Sequence, residues 1–279
     1  MSAQRTVAVL SAGEMGAAVG HRLREAGLRV VTTLSGRGER TRERAAAAGI
    51  EDIGPLAAAV READVLLSIV PPGRALELAE AVGRDPGPLY VDCNAVSPAT
   101  ALAIAAAVGE RFVDVGIIGA PTAPRFYASG SRAPELAELP LDVRVIGGGV
   151  GRASALKMCY AALTKGLSAL LTESAVAADA YGVAGPLREE LADSQPQFLA
   201  GATRLPGVVP KAYRWVAEME EIAATFEQVG LTPRMLLGAA DVYRLVEEAR
   251  ASAERPLDEL DVVVDELRRA LGAGARPAR

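Results

Sequence analysis

Residues Gly151–Gly182, GRASALKMCYAALTKGLSALLTESAVAADAYG, decide how this chain is divided. Between its ends the stretch has no proline and one glycine, Gly166; it is rich in Ala and Leu, and Gly182 closes it. Helix formers followed by a glycine stop predict one helix of about eight turns. Leu156, Met158, Ala161, Leu163, Leu167, Leu170, Leu171 and Val176 lie nearly all round it, which predicts burial on several sides, as for a helix wedged between two domains. Into that background the chain places Lys157 and Lys165. Of its 30 Lys and Arg residues, only these two and Lys211 are lysines. A lysine offers what arginine cannot, an amine whose pKa falls from about 10.4 when water is removed from it. Lys157, Tyr160, Ala161, Thr164 and Ser168 recur at helical spacing as one stripe, while Lys165 lies about 80° round the helix from Lys157. The plainer account of both lysines is that their stems are buried and their amines reach water. The residues upstream weigh against that account for Lys157.

Thr6–Leu10 (TVAVL) reads as a short buried strand, followed by Ser11-Ala12-Gly13-Glu14-Met15-Gly16 and a helix from about Gly16 to Ala26. Strand, tight turn and helix N-terminus in that order suit a pyrophosphate, held by backbone N–H groups and the positive helix end. The pattern is the dinucleotide fingerprint G-x-G-x-x-G with Ser11 at its first glycine; Gly13 allows close approach and Gly16 tight packing. Val70, Pro71, Pro72 and Asn94 follow later strands and join Ser11, Gly13, Glu14, Met15 and Gly16 as expected cofactor contacts. The second strand, Arg29–Leu34, carries no acid at its end to bind a ribose 2′-hydroxyl. Ser35-Gly36-Arg37-Gly38 and Arg40 stand there instead, small donors and guanidinium groups suited to a 2′-phosphate, so Ser35 and Arg37 favour NADP(H) over NAD(H).

Strand and helix then alternate: helix 56–62, strand 64–70, helix 75–82, strand 89–93, helix 98–108 and strand 112–116. This predicts an α/β domain, a doubly wound parallel sheet of Rossmann type, with ligands at the carboxyl ends of its strands. Those ends carry Ser68–Pro72, Asp92–Pro98 and Asp114–Pro121. Residues 122–141 form a segment rich in Pro, Ala and Ser, followed by a strand at 143–146. The second half reads as helices alone, at 186–193, 209–229, 233–251 and 257–271, with a disordered tail from Gly272 to Arg279. The expected domains are therefore 1–151, binding NADP, and 152–279, helical and including the long helix 152–181.

At 279 residues, half of them apolar, the chain can bury two cores, and a net charge of −5 argues against nucleic acid or an anionic membrane as partner. No window approaches 18 apolar residues and the start is no signal peptide, so a cytoplasmic protein is expected. Cys93 and Cys159 match no metal spacing, and the single histidine, His21, gives little support to a zinc site or a Ser-His-Asp triad. No metal is expected.

Together these pieces resemble the 3-hydroxyacid dehydrogenase and 6-phosphogluconate dehydrogenase superfamily, which includes the imine reductases, and within it the branch with a DUF1932 C-terminal domain. The residues carrying the resemblance are Gly13–Gly16, Val70–Pro72, Asp92–Pro98, Gly116–Gly119, Lys157–Gly166 and Arg214–Ala223. It implies a Rossmann domain, a long helix leading into an all-helical domain, and a homodimer with its active site in a cleft between domains. It implies too that Lys157 is the general acid or base for hydride transfer between nicotinamide and a carbonyl or hydroxyl carbon, with Tyr160, beside Ala161, as a second catalytic residue. Substrate contacts are then expected at Ser97, Ile118, Gly119, Ala120 and Thr164. Two departures bear on the substrate. Ala161 stands where relatives acting on 3-hydroxyacids carry asparagine, and Ile118-Gly119-Ala120 replaces a Ser-Gly-Gly loop. A Lys-Asp pair expected on a later helix is replaced by the Glu218–Glu220 region. An apolar loop of isoleucines suits a bulkier carbonyl, or an imine as in imine reductases. A protein that binds NADP without catalysis is the alternative from another class.

Overall fold

The computed structural model describes residues 5–84 and 87–274. Two compact units divide it, Met1–Met158 and Cys159–Arg279. In the first, β1 (Thr6–Leu10), β2 (Arg29–Thr32), β3 (Glu51–Asp52), β4 (Val65–Ser68), β5 (Leu89–Asp92), β6 (Phe112–Ile118), β7 (Arg125–Ser129) and β8 (Val143–Val145) form one sheet. Their spatial order is β3-β2-β1-β4-β5-β6-β7-β8. The first six strands are parallel and hence need helical crossovers. These are α1 (Glu14–Glu25), α2 (Glu39–Ala47), α3 (Leu56–Glu62), α4 (Ala75–Val82) and α5 (Pro98–Val108). Helices on both faces bury the central strands, and Val7, Ala8, Val9, Val65, Leu66, Leu67 and Val91 have no exposed surface.

The expected alternation is present, and the structure adds to it. Strand β7 lies inside the segment read as Pro/Ala/Ser-rich and pairs antiparallel with β6, Ile117 opposite Phe126 and Ile118 opposite Arg125. Because that pairing extends β6 through Ile118, the two isoleucines are buried strand residues rather than a loop. A four-residue helix, α6 (Ala133–Leu136), follows β7.

The long helix, α7 (Arg152–Ala180), is continuous. Its expected burial on several sides is not what the structure shows: Met158 and Ala161 are buried, whereas Leu156, Tyr160, Leu163, Leu167 and Leu170 are exposed. These five recur at intervals of four and three residues, a single ridge along one side. The second unit continues with α8 (Ala184–Ser194), α9 (Pro196–Ala202), α10 (Ala212–Glu227), α11 (Arg234–Ser252) and α12 (Leu260–Gly274). Helix α12 takes in Gly272–Gly274, which the sequence assigned to a disordered tail, and the rest of that tail lies outside the described residues.

Lys165 belongs to this unit's packing. Its Nζ lies 2.7 Å from Glu218 Oε1, with both side chains nearly buried, and 5.2 Å from the ring centre of Trp215. Tyr243, set edge-on against Trp215, donates its hydroxyl to the Lys165 carbonyl oxygen at 2.6 Å. One lysine thus ties α7 to α10 and α11. Replacing Lys165 would remove both the ion pair and the contact with the Trp215 ring between α7 and α10. Among the described residues no helix is long and apolar enough to cross a membrane.

Candidate active site

The turn after β1 has the geometry its spacing predicts. Ser11 takes a φ of 88°, the one described non-glycine residue in the left-handed region, which explains why glycine is usual there. Gly16 is buried against that turn, and a Cβ on it would stand 2.1 Å from the Ser11 carbonyl oxygen. Gly13 is the N-cap of α1 and makes no side-chain cap; a Cβ built there meets nothing within 4 Å. The space beside the N-cap of this 12-residue helix is therefore open. That room, at the positive end of a helix dipole, fits a dinucleotide pyrophosphate.

The loop after β2 is braced in a way the sequence did not reveal. Arg37 N–H donates to the Leu34 carbonyl, closing a turn through Gly36 at φ 71°. Arg42 spans the loop, donating from Nη2 to the Leu34 carbonyl at 2.8 Å and from Nε to the Arg37 carbonyl at 3.1 Å. The second strand carries no acid at its end, as read, but an acid from the neighbouring strand stands beside it. Asp52, at the end of neighbouring β3, accepts from Leu34 N at 3.1 Å and Gly54 N at 3.0 Å through Oδ1. Ser35 is exposed and Arg37 half-buried at this loop.

A polar row crosses the sheet where the parallel strands end. Leu10, Ser68, Asp92, Asp114 and Ser129 are in register across β1, β4, β5, β6 and β7. The four polar members are completely buried. Two carboxylates in such a place need dedicated donors.

Asp114 finds them at the start of α7. Its Oδ2 accepts from the N–H groups of Gly151, Ala153 and Ser154 and from the Ser129 hydroxyl, at 2.8–3.2 Å. Its Oδ1 accepts from the Ser154 hydroxyl at 2.6 Å. One strand side chain thereby satisfies the first turn of the long helix, and each of those donors left unpaired would cost about 1–3 kcal/mol. The clamp sets the register of the next turn, where half-buried Lys157 stands. A Cβ on Gly116 of β6 would lie 2.8 Å from Lys157 Cβ and 2.8 Å from the Ala153 carbonyl oxygen, so glycine there lets the helix lie directly on the strand.

Asp92 is bonded to Asn94. Its Oδ1 accepts from Asn94 Nδ2 at 2.5 Å and its Oδ2 from Asn94 N at 3.4 Å. The same Nδ2 donates to Ser68 Oγ at 2.8 Å, and Asn94 Oδ1 accepts from Val70 N at 2.7 Å. Burial pushes the Asp92 carboxyl up to about 7, with a smaller contribution from neighbouring Asp114 and with Asn94 and Ser68 opposing. Between the ordinary aspartate value near 4 and pH 7, the folded chain therefore holds a proton that the unfolded chain has lost. Stability is expected to fall as pH rises through that window, where N binds more protons than U. Thermal melts at pH 5.5 and pH 8 would show it, with the lower melting point at pH 8 attributable to Asp92 if the Asp92→Asn variant removes the difference.

The remaining expected residues are distributed as follows. Val70 and Pro72 are half-buried and Pro71 exposed, in the segment leading to α4, while Glu14 is exposed and Met15 half-buried on the first turn of α1. Ser97 is the N-cap of α5, its Oγ accepting from Thr100 N at 3.2 Å. Ile118 is buried; Gly119, at φ 114°, and Ala120 are exposed just beyond it. Tyr160 is exposed on α7, and Thr164 turns its hydroxyl back to the Tyr160 carbonyl at 3.2 Å. Lys157 belongs to the first unit, and Tyr160 and Thr164 to the second.

Residues 6–96 match the family model described as NADP oxidoreductase coenzyme F420-dependent, and residues 178–246 match the domain of unknown function DUF1932. An uncharacterized 28.5 kDa protein of Methanothermus fervidus is 31% identical over 226 residues, covering 78% of this chain and 90% of its own. A conserved protein of unknown function, whose structure is described as similar to 3-hydroxyacid dehydrogenases, is 31% identical with a TM-score of 0.64, over 88% of this chain and 98% of that one. A conserved hypothetical protein of Sinorhizobium meliloti is 26% identical with a TM-score of 0.69, over 96% and 97%. The chain belongs to the 3-hydroxyacid dehydrogenase and 6-phosphogluconate dehydrogenase-like superfamily of oxidoreductases, in its DUF1932 branch.

Proposed function

We propose that this protein catalyses hydride transfer between NADP(H) and a carbonyl or hydroxyl substrate, with Lys157 as general acid in reduction and general base in oxidation. The observation that carries the proposal is the clamp of Asp114 on α7, which fixes a rare lysine against Gly116 of β6, on the sheet whose strand ends carry the nucleotide turn. The cofactor supplies the hydride. Lys157 delivers a proton to the substrate oxygen as the carbonyl carbon becomes an alcohol carbon, and takes it back in the reverse direction. The turn Ser11–Gly16 would hold the pyrophosphate; Ser35 and Arg37, on the loop braced by Arg42, would meet the 2′-phosphate. With Asp52 engaged by two backbone amides, the donors of that loop favour NADP(H) over NAD(H). Family resemblance in the nucleotide-binding half and the likeness of a 31% identical relative to 3-hydroxyacid dehydrogenases support the reading.

The exposed ridge from Leu156 to Leu170 supports a homodimer, since water does not stabilise a row of four leucines and a tyrosine. Cys93 and Cys159 are free thiols, as a cytoplasmic enzyme would carry them.

The test is to follow NADPH absorbance with the purified protein against a panel of carbonyls, hydroxyacids and imines, and to titrate NADPH and NADH separately. Turnover with a carbonyl and tighter binding of NADPH are expected. Turnover confined to imines would move the reaction to C=N reduction. Nucleotide binding with no turnover across the panel would replace this reading by a non-catalytic NADP-binding one.

A further inference from the structure

The Asn94 side chain has no N–H left to offer a ligand in its present geometry. Its two amide hydrogens go to Asp92 Oδ1 and Ser68 Oγ, and its oxygen accepts from Val70 N. All of this happens without water, since Ser68 and Asp92 are fully buried and Asn94 is 3% exposed. The bond to Val70 N is the consequential one, because Val70 opens the segment Val70-Pro71-Pro72 that leaves the sheet, and neither proline has an N–H with which to anchor it. Asn94 can accept from Val70 only while its amide is turned with nitrogen towards Asp92, and a carboxylate, which only accepts, holds it so.

We propose that Asp92 is a positioning residue for the nucleotide: it orients the Asn94 amide and, through it, fixes the Val70–Pro72 segment against which the cofactor lies. The inference rests on the nucleotide-binding reading above and adds to it a residue that touches no ligand. The groups facing Asp92 are few. Asp114 stands opposite on β6, Tyr90 and Cys93 flank it on β5, and Ser68 on β4 brings only a hydroxyl. None of them is a cation, so the positioning depends on the state of one carboxyl. Protonated, Asp92 acquires a donor of its own and grips the amide less firmly; nucleotide affinity should then decline as pH falls from 8 to 6.

The Asp92→Asn variant tests this with two readouts that a purely structural role would move together. Its new amide fills the same volume and carries no charge, so the melting temperature at pH 8 should be equal to or above the wild-type value. Either way that amide is turned, however, one of its N–H groups points at a donor of Asn94, at Nδ2 or at the backbone N. NADPH affinity should therefore fall at least tenfold and lose its dependence on pH. NADH serves in parallel, since it lacks the 2′-phosphate whose own second ionisation near pH 6 would otherwise contribute a slope. Asn94→Ala, which removes the acceptor for Val70 N, should show the same loss of affinity. Should Asp92→Asn not fold, the wild-type titration decides: nucleotide affinity that is flat between pH 8 and 6 overturns the proposal. Asp92→Asn binding NADPH as tightly as wild type, with the same pH profile, overturns it too while leaving the proposed function intact. A wild-type protein that binds neither nucleotide overturns both.

Discussion

Gly16→Ala and Gly13→Ala should both abolish tight NADPH binding, and only the first should lower the melting temperature. In an ordinary helix position alanine is better than glycine by about 1 kcal/mol. At Gly16 that gain is lost, because the new Cβ would sit 2.1 Å from the carbonyl oxygen of Ser11, a backbone atom that moves only if the turn moves. Overpacking of this kind costs about 1–3 kcal/mol, and the turn that shifts to relieve it is the one expected to hold the pyrophosphate. A rise in Kd of at least 100-fold is expected, with melting several degrees lower. Gly13 differs because nothing stands within 4 Å of a Cβ built there. Alanine at that position should leave the melt unchanged and occupy the room the ligand needs. Calorimetric titration of the two variants beside their melting curves checks the pair. Normal NADPH affinity in Gly13→Ala would show that the space before α1 is not where the nucleotide lies.

The second large effect is expected at Lys157. Removing a general acid typically lowers kcat by about 10²–10⁴-fold, and Lys157→Ala should do so while NADPH affinity stays within about twofold. Added primary amines should restore part of the rate if the lost group is a proton donor. Lys165→Ala should behave in the opposite manner, destabilising the chain by removing the ion pair with Glu218 and the contact with Trp215, without a specific loss of rate in whatever remains folded. Gly116→Ala provides an independent check. A Cβ there would press on both Lys157 Cβ and the Ala153 carbonyl, displacing the lysine without removing it, so kcat should fall and added amine should not help. Stopped-flow single turnovers with a substrate from the panel separate the chemical step from release. If Lys157→Ala turns over at the wild-type rate, the proton must come from another group.

Much of the first unit was legible because its signals are local. The order of strand, glycine turn and helix at Thr6–Glu25 is written within twenty residues, and Pro98 and Gly109 mark the ends of α5 directly. What escaped detection depends on pairing. The two residues of β3 carry no periodicity at all, and β7 follows Pro124 in a segment whose composition suggests a loop; its strand character comes from the partner β6. Helix α2, ERTRERAAA, has one buried residue, Ala45, and so lacks an apolar stripe to betray it. The same distinction runs through the site. Both lysines on α7 could be picked out by their rarity, but nothing nearby separates them. The partner that makes Lys165 a strut lies 53 residues away, and the carboxylate that clamps the helix before Lys157 lies 40 residues from Ser154. Asp52 was hidden for a related reason: it reaches the loop after β2 from the adjacent strand, 18 residues beyond Leu34.

Serine at position 11 has a consequence for how such proteins are recognised. The first letter of the fingerprint records a torsion angle, not a contact, and Ser11 meets it at φ 88°. A side chain at such an angle costs on the order of 1–3 kcal/mol, a sum the well-packed strand before it and the glycine behind it can hold in place. Any filter that demands three glycines therefore discards chains like this one for a debt they can carry, while a filter written in backbone angles would keep them.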